Sequence, residues 1–338
     1  MTVGPMKVAL LGPIAWRTPP RAYGPWEQVV SLLAEGLVAR GVDVTLFASL
    51  DSVTTARLDG VVAHPYNEDG SYDGRVWEAI HIAHCYRRSA EFDIVHNNLD
   101  WLPLAMSDFC GTRLLTTVHG FCSTAILPAY QRARSQYVSI SDADRGPGLD
   151  YAATIYHGID VAQFPFRAEA GETLVAFGRI HPDKGTAEAV KIARATGRRL
   201  LICGPVHDEV YHAEQVLPHI DGEQIVYGGN VGPEERAEIL GSAAALLHPI
   251  GFAEPFGLSV VEAMACGTPV IAYPLGSMPE IVDEGVTGYL APDAFSAAAV
   301  LDDALKLDRA RVRARALERF SADRMVDDYL ALYQRMLG

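Results

Sequence analysis

Two glutamates, Glu254 and Glu262, stand with seven residues between them in the stretch 251–272, GFAEPFGLSVVEAMACGTPVIA. A Pro255-Phe256-Gly257 turn follows the first. Small residues after it predict a helix ending at Gly267, then a buried strand over 269–273. Two carboxylates and several unpaired backbone N–H groups therefore meet at the mouth of one helix, an arrangement that can hold a phosphorylated polyhydroxy ligand. Ser259 and Glu262 also fit the spacing of a capping box, which would give Glu262 a purely structural role. Glu254 lies before Pro255, outside the helix, and capping does not explain it.

A second group of residues follows the apolar run 174–178. Gly178-Arg179-Ile180-His181-Pro182-Asp183-Lys184-Gly185 puts two cations on one loop at a helix start. Arg179 and Lys184, with the helix N–H groups, can neutralise a diphosphate; equally, they read as solvated loop charges with Asp183 as partner. Gly24 precedes a predicted helix, where a glycine admits close backbone approach by a phosphate or simply makes a turn. His119 ends the apolar run 114–118 and reads as a polar ligand contact facing a cleft or as a histidine bonded to nearby backbone. His96 and His157 occupy similar strand ends. No G-x-G-x-x-G follows the first strand, so the dinucleotide fingerprint is absent. No H-E-x-x-H occurs, no metal is expected, and Asp142-Ala143-Asp144 reads as a helix N-terminus over 139–145.

The elements that must position these residues alternate. Apolar runs at 6–12 and 42–48 flank a helical pattern at 27–40, a βαβ unit. Further strands fall at 94–96, 114–118 and 137–139. The pattern restarts near Leu174, with strands at 174–178, 199–203, 224–227, 244–248, 269–273 and 288–290 and helices at 186–196 and 233–242. Two such series predict two doubly wound domains, each with a parallel sheet, and ligands in such sheets bind beyond the carboxyl ends of the strands. The join is expected within 160–173. A last amphipathic helix is expected at 322–337.

Bulk properties narrow the function classes. The 338 residues suffice for two domains, and 49% hydrophobic with 21% charged residues is ordinary globular composition. A net charge of −14 disfavours nucleic-acid binding and tight docking on an anionic membrane. The five cysteines (85, 110, 122, 203 and 266) are scattered and form no C-x-x-C pair, as expected of buried thiols in a reducing cytoplasm. No apolar run is long enough for a membrane span or a signal segment, so a cytoplasmic protein without a stable membrane anchor is expected.

With these residues in place, the chain resembles the retaining glycosyltransferases of family 4, which have the GT-B fold. The resemblance covers nearly the whole chain. It rests on Glu254 to Glu262, the Gly178-Arg179 and Lys184-Gly185 pairs, Gly204-Pro205, 227–231, Thr287-Gly288-Tyr289-Leu290, Val118-His119-Gly120 and the last helix. It implies an α/β GT-B architecture of two doubly wound Rossmann-like domains with a deep inter-domain cleft. An acceptor domain would span 1–165, a donor domain 166–320, and a helix at 321–338 would cross back to the first. The resemblance also implies roles. Glu254 would bind hydroxyls of the donor sugar, with the N–H groups of Phe256, Gly257 and Leu258 on the sugar and diphosphate. Glu262 would take the ribose, Arg179 and Lys184 the diphosphate, the backbone of Val231 the base, and His119 would lie beside the sugar. The implied activity is retaining, metal-independent transfer from a nucleoside diphosphate sugar to an acceptor hydroxyl, with no cofactor. The acidic balance favours a soluble glycoside acceptor, such as an antibiotic oligosaccharide under construction, recognised by loops at 13–25 and 66–75. Two departures, Gly24-Pro25-Trp26 and His157-Gly158-Ile159-Asp160, bear on the acceptor side. A sugar-nucleotide epimerase of the same fold and a non-catalytic nucleotide-sugar binder are the alternatives; neither base, sugar nor oligomeric state is readable.

Overall fold

The computed structural model describes residues 4–21, 24–120 and 123–338; Cys122 lies outside them. The chain forms two compact units, Met1–Gly158 with Ala322–Gly338, and Ile159–Ser321. Residues 159–165 thus fold with the second unit, ahead of the expected boundary at 166. The reason is local: the Ile159 N–H donates to Phe320 O, and the Phe164 and Arg167 carbonyls accept from Arg313 and Arg309.

The first unit is built on a seven-stranded parallel sheet: β1 Lys7–Leu11, β2 Asp43–Phe47, β3 Arg57–Asp59, β4 Ile94–Asn97, β5 Arg113–Val118, β6 Gln136–Ser139 and β7 Tyr151–Thr154. Their order is β3-β2-β1-β4-β5-β6-β7, so the direction of winding reverses between β1 and β4. The helices are α1 Pro25–Ala39, α2 Gly74–Arg87, α3 Leu102–Ala105 and α4 Leu127–Arg132. Residues 8–11 of β1 and 114–118 of β5 are buried without alternation, because helices cover both faces of a parallel sheet.

The second unit repeats the plan with six parallel strands: β8 Leu174–Phe177, β9 Leu200–Cys203, β10 Ile225–Gly229, β11 Ala245–His248, β12 Val270–Ala272 and β13 Gly288–Leu290, ordered β10-β9-β8-β11-β12-β13. Its winding reverses between β8 and β11. Its helices are α5 Thr186–Thr196, α6 Glu209–Tyr211, α7 Pro233–Ser242, α8 Leu258–Ala265, α9 Met278–Ile281, α10 Ala294–Ala304 and α11 Arg309–Phe320. The last helix, α12 Ala322–Leu337, returns to the first unit. Its apolar stripe of Met325, Val326, Tyr329, Leu332 and Tyr333 joins the core made by Val30, Leu33 and Leu37 of α1. Tyr329 and Tyr333 carry their hydroxyls inside, where they bond Thr117 Oγ1 and His96 Nδ1 at 2.7 Å each.

Several expectations are corrected. Residues 140–148 form turns rather than a helix start. Asp142 is held by Thr154 and Arg145, and the Asp144 N–H donates to Ser141 Oγ at 3.1 Å. The edge strands β3 and β7 and the helices α2, α10 and α11 form where the sequence pattern predicts no element. Among the described residues Cys85, Cys110, Cys203 and Cys266 are free thiols.

Candidate functional site

In the second unit Gly178, Lys184, Glu254, Phe256 and Gly257 lie on the loops that follow β8 and β11, at the reversal where an open α/β sheet leaves a crevice between diverging loops. The loop after β8 carries Gly178, Arg179 and Lys184 and ends at Gly185, the N-cap of α5. Gly185 is left-handed, φ +64°, and a Cβ there would lie 1.8 Å from Pro249 O. The close approach fastens this loop to the one after β11, and the Gly251 N–H adds a 2.7 Å bond to Asp183 O.

The β11 loop carries Glu254, Phe256 and Gly257 into α8. Gly257, φ +87°, is the N-cap of α8, and no side chain caps the helix. The capping box expected of Ser259 and Glu262 therefore does not form: Ser259 and Glu262 lie inside the helix, where the capping geometry is unavailable. The first N–H groups of α8, beginning at Leu258, point out of the helix start, as those of α5 do. The loop is anchored by Ser277, whose N–H donates to Glu254 O at 2.8 Å and whose hydroxyl donates to Phe256 O at 3.0 Å. Phe256 is buried, edge-on to Phe320.

Lys184 Nζ donates directly to Glu254 Oε2. This one contact joins the two loops that the sequence reading singled out separately. Lys184 also lies 4.6 Å from the centre of the Phe252 ring. Burial works to raise the Glu254 carboxyl, but His248 and Lys184 outweigh it and hold the group down at about 2. The His248 nitrogen lies 3.7 Å away, beyond hydrogen-bond reach, so the Lys184 contact is the direct one. Arg179 reaches instead toward His207, with a guanidinium nitrogen 3.5 Å from its Nδ1. Glu262 is buried and paired with Arg236 of α7, whose guanidinium lies 4.7 Å over the Phe177 ring. Burial raises the Glu262 carboxyl above its ordinary value, with Arg236 opposing. Val231 lies just before Gly232, the N-cap of α7, about one helical turn ahead of Arg236.

Gly24 and His119 belong to the first unit. Gly24 is the N-cap of α1. A Cβ on it would meet Pro20 Cβ at 2.8 Å and Glu27 Oε2 at 3.0 Å. Glu27 is buried, accepts from the Trp16 N–H at 3.1 Å, and is pushed up by burial to about 7. His119 sits at the end of β5, stacked between Trp26 (5.3 Å between ring centres) and His157 (5.1 Å). Its Nε2 lies 3.2 Å from Asn98 Oδ1 and its Nδ1 3.3 Å from His157 Nε2. Burial lowers both imidazoles, His157 to about 3, so both rings are neutral. Asn98 accepts, which assigns the His119 proton to Nε2 and leaves Nδ1 to accept from His157. His119 thus rests on side chains rather than on backbone. The two loops expected to recognise an acceptor are tied together: Tyr66 and Asn67 N–H donate to Ile14 O and Ala15 O at 3.2 Å, and Arg21 pairs with Glu68.

Two family descriptions match the chain: Glycosyltransferase Family 4 over residues 26–145 and Glycosyl transferases group 1 over 162–319. Glycogen synthase of Mycobacterium tuberculosis is 27% identical over 376 aligned positions, covering 92% of this chain and 90% of that one. Among solved structures, AviGT4, a glycosyltransferase involved in avilamycin A biosynthesis, superposes with a TM-score of 0.74 at 27% identity, covering 98% of each chain. HepE of Anabaena, solved in complex with UDP and glucose, has the same fold: TM-score 0.75, 17% identity, 97% of this chain and 99% of that one. The chain is a glycosyltransferase family 4-like protein of the GT-B fold.

Two residues of this candidate site carry no motif signal in the sequence taken alone. Arg236 sits 26 positions before Glu262, on a helix with no motif of its own, and only the packing of α7 beside α8 brings it in. His248 closes a strand whose other residues are apolar; a buried histidine in such a run was the available signal. Among the described residues no three His, Cys, Asp or Glu side chains group to hold a metal, and no helix is long and apolar enough to cross a membrane.

Proposed function

We propose that the protein transfers a glycosyl group from a nucleoside diphosphate sugar to an acceptor hydroxyl with retention at the anomeric carbon and without a metal. The observation that carries this reading is the Lys184–Glu254 contact at the β8/β11 reversal, beside the uncapped start of α8. Glu254, ionised and inward-facing, accepts from the sugar hydroxyls. The cations Arg179 and Lys184 and the N–H groups of Phe256, Gly257 and Leu258 receive the diphosphate, Glu262 the ribose, and the backbone of Val231 the base. HepE, which shares the fold, was solved with UDP and glucose, a ligand pair of this class.

The chemistry follows from where charge develops. The anomeric C–O bond breaks, leaving positive charge on the sugar and negative charge on the departing diphosphate. Arg179 and Lys184 stabilise the latter by placing positive charge where the negative charge develops. The leaving phosphate oxygen takes the proton of the acceptor hydroxyl as the acceptor oxygen bonds to the anomeric carbon on the same face. No second carboxylate is required as nucleophile. His119, neutral and with its two ring nitrogens bonded to Asn98 and His157, contributes no charge to the chemistry.

In the test, the wild type and Lys184→Ala are incubated with UDP-, GDP-, ADP- and dTDP-glucose and a panel of glycoside acceptors. The product's anomeric configuration is read by NMR, with and without chelator. Lys184→Ala should lower turnover about 10²–10³-fold. Near-wild-type turnover would remove Lys184 from the mechanism; an inverted product or loss of activity with chelator would overturn the retaining or metal-free reading.

A further inference from the structure

β11 reads Ala245-Leu246-Leu247-His248, three apolar residues and then an imidazole, all buried. His248 is only 4% exposed, and its Nε2 has no hydrogen-bond partner. That nitrogen faces the Glu254 carboxylate at 3.7 Å. A buried polar atom left unpaired is costly, so an orphan aimed at a carboxylate calls for an explanation. Facing an ionised oxygen, Nε2 carries the ring proton. A cavity of about 10 Å³, bounded in part by Gly178, Lys184, Thr186 and His248, lies beside the ring. It has room for one water-sized group, and so for a small side-chain shift.

We propose that His248 is a positioning residue for the donor sugar, acting through Glu254. The inference rests on the assignment of Glu254 to the sugar made above. Lys184 and Glu254 hold one another in this structure, yet they serve different parts of the donor. The ammonium belongs to the diphosphate, the carboxylate to the sugar hydroxyls. As Lys184 turns toward the diphosphate, Glu254 loses its direct partner while still buried. The His248 N–H closes the remaining distance, becomes a charge-assisted donor to Glu254, and keeps the carboxylate aimed at the sugar. An apolar residue at this position would pack as well in the strand but would leave Glu254 free to swing after Lys184. His248 touches no substrate atom in this scheme, so its effect is confined to ligands that carry the sugar.

The test compares calorimetric binding of a bare nucleoside diphosphate with that of its glucose conjugate. The UDP, GDP, ADP and dTDP series are titrated into wild type, and the preferred pair is then used for His248→Leu, His248→Gln and Glu254→Gln. His248→Leu should bind the bare diphosphate within about twofold of wild type and lose about tenfold for the sugar nucleotide, the worth of one charge-assisted hydrogen bond. His248→Gln, which restores an N–H near the Nε2 position, should recover most of that loss. Two results overturn the proposal: His248→Leu binds the sugar nucleotide as wild type does, or it loses both ligands equally, as a purely structural residue would. If His248→Leu fails to fold, His248→Gln decides: wild-type discrimination supports the N–H role, and loss of discrimination refutes it. Glu254→Gln separates the two levels. If it loses the sugar contribution while His248→Leu does not, only the His248 inference fails. If Glu254→Gln is also without effect, or wild type binds none of the series, the assignment of Glu254 fails and takes the proposal with it.

Discussion

A carboxylate as deeply buried as Glu262 persists only with a partner, and here the partner is one guanidinium. Removing Arg236 leaves the charge uncompensated. Arg236→Met should therefore destabilise the protein by about 2–4 kcal/mol, and the Arg236→Met, Glu262→Leu double variant should recover much of it, since an apolar pair replaces a buried ion pair at little net cost. Urea denaturation of the four-membered cycle measures this; a single variant that melts with wild type would show the pair to be unimportant for stability. At this scale the sequence pointed to residues whose neighbours share one loop, as with Glu254 and Gly257 or Arg179 and Lys184, and the structure joins the two loops through Lys184 and Glu254. It was silent on Arg236 and His248, because their meaning comes from side chains that fold against them from other elements. It was misleading on Ser259, whose capping spacing is cancelled by the backbone starting α8 one residue after Gly257.

Between the elements, the decisive feature is the lock of the β8 loop on the β11 loop at Gly185. A side chain there must fight both a left-handed backbone and the Pro249 carbonyl. We expect Gly185→Ala to cost upwards of ~2 kcal/mol and to abolish nucleotide binding, because the two loops separate. Gly197 supplies the control. It is also left-handed (φ +65°), at the far end of α5, but nothing lies within 4 Å of a Cβ there. Gly197→Ala should cost only about 1 kcal/mol and leave binding unchanged. Equal losses in thermal melts and UDP titrations of the two variants would mean that backbone strain, not the loop contact, matters. Helix α5 and helix α7 were legible to the residue from their apolar periods and end signals. The edge strands β3 (Arg-Leu-Asp) and β7 (Tyr-Ala-Ala-Thr) were not, since an edge strand buries less and has little apolar run to show. In α11 the arginines mask the period: Arg309 is buried and donates to Gly241 O, Ala243 O and Thr268 Oγ1, acting as a core residue.

For the whole molecule, buried titratable groups set the response to acid. His81, His96, His119 and His157 are buried and neutral, with burial pressing each below its ordinary 6.5, to about 4, 3 and 3 for His81, His96 and His157. Below pH 6.5 the unfolded chain takes up protons that the folded one refuses, so each histidine removes up to about 1.4 kcal/mol of stability per pH unit as the pH falls. Glu27 has the opposite sign. Its folded value, about 7, exceeds the 4.5 of an exposed glutamate, so the folded state holds the extra proton between those limits and stability falls as pH rises across them. Glu78, Asp100 and Glu262, also raised by burial, act in the same sense as Glu27, but the four histidines act from pH 6.5 downward, and the net result is loss of stability from pH 6.5 toward 4.5. Calorimetric melts across pH 8 to 4.5 should show it; a flat melting temperature over that range would refute it. Glu27→Gln should add stability on the order of 3 kcal/mol at pH 8 and almost none at pH 4.

By itself the sequence determined the class of the protein: two alternating series of strands and helices, and the two loop motifs on which its resemblance to the family 4 glycosyltransferases rests. That information is local. Apolar runs, glycines and short motifs act within a few residues, and one dimension preserves them. Which side chains answer one another was decided only by tertiary structure. Lys184 meets Glu254 across 70 positions, Arg236 meets Glu262 across 26, and His119 rests on Asn98 and His157. The reason is topological. A parallel sheet brings loops that are far apart in sequence to the same ends of its strands, and the burial that follows, not the residue types alone, sets each charge.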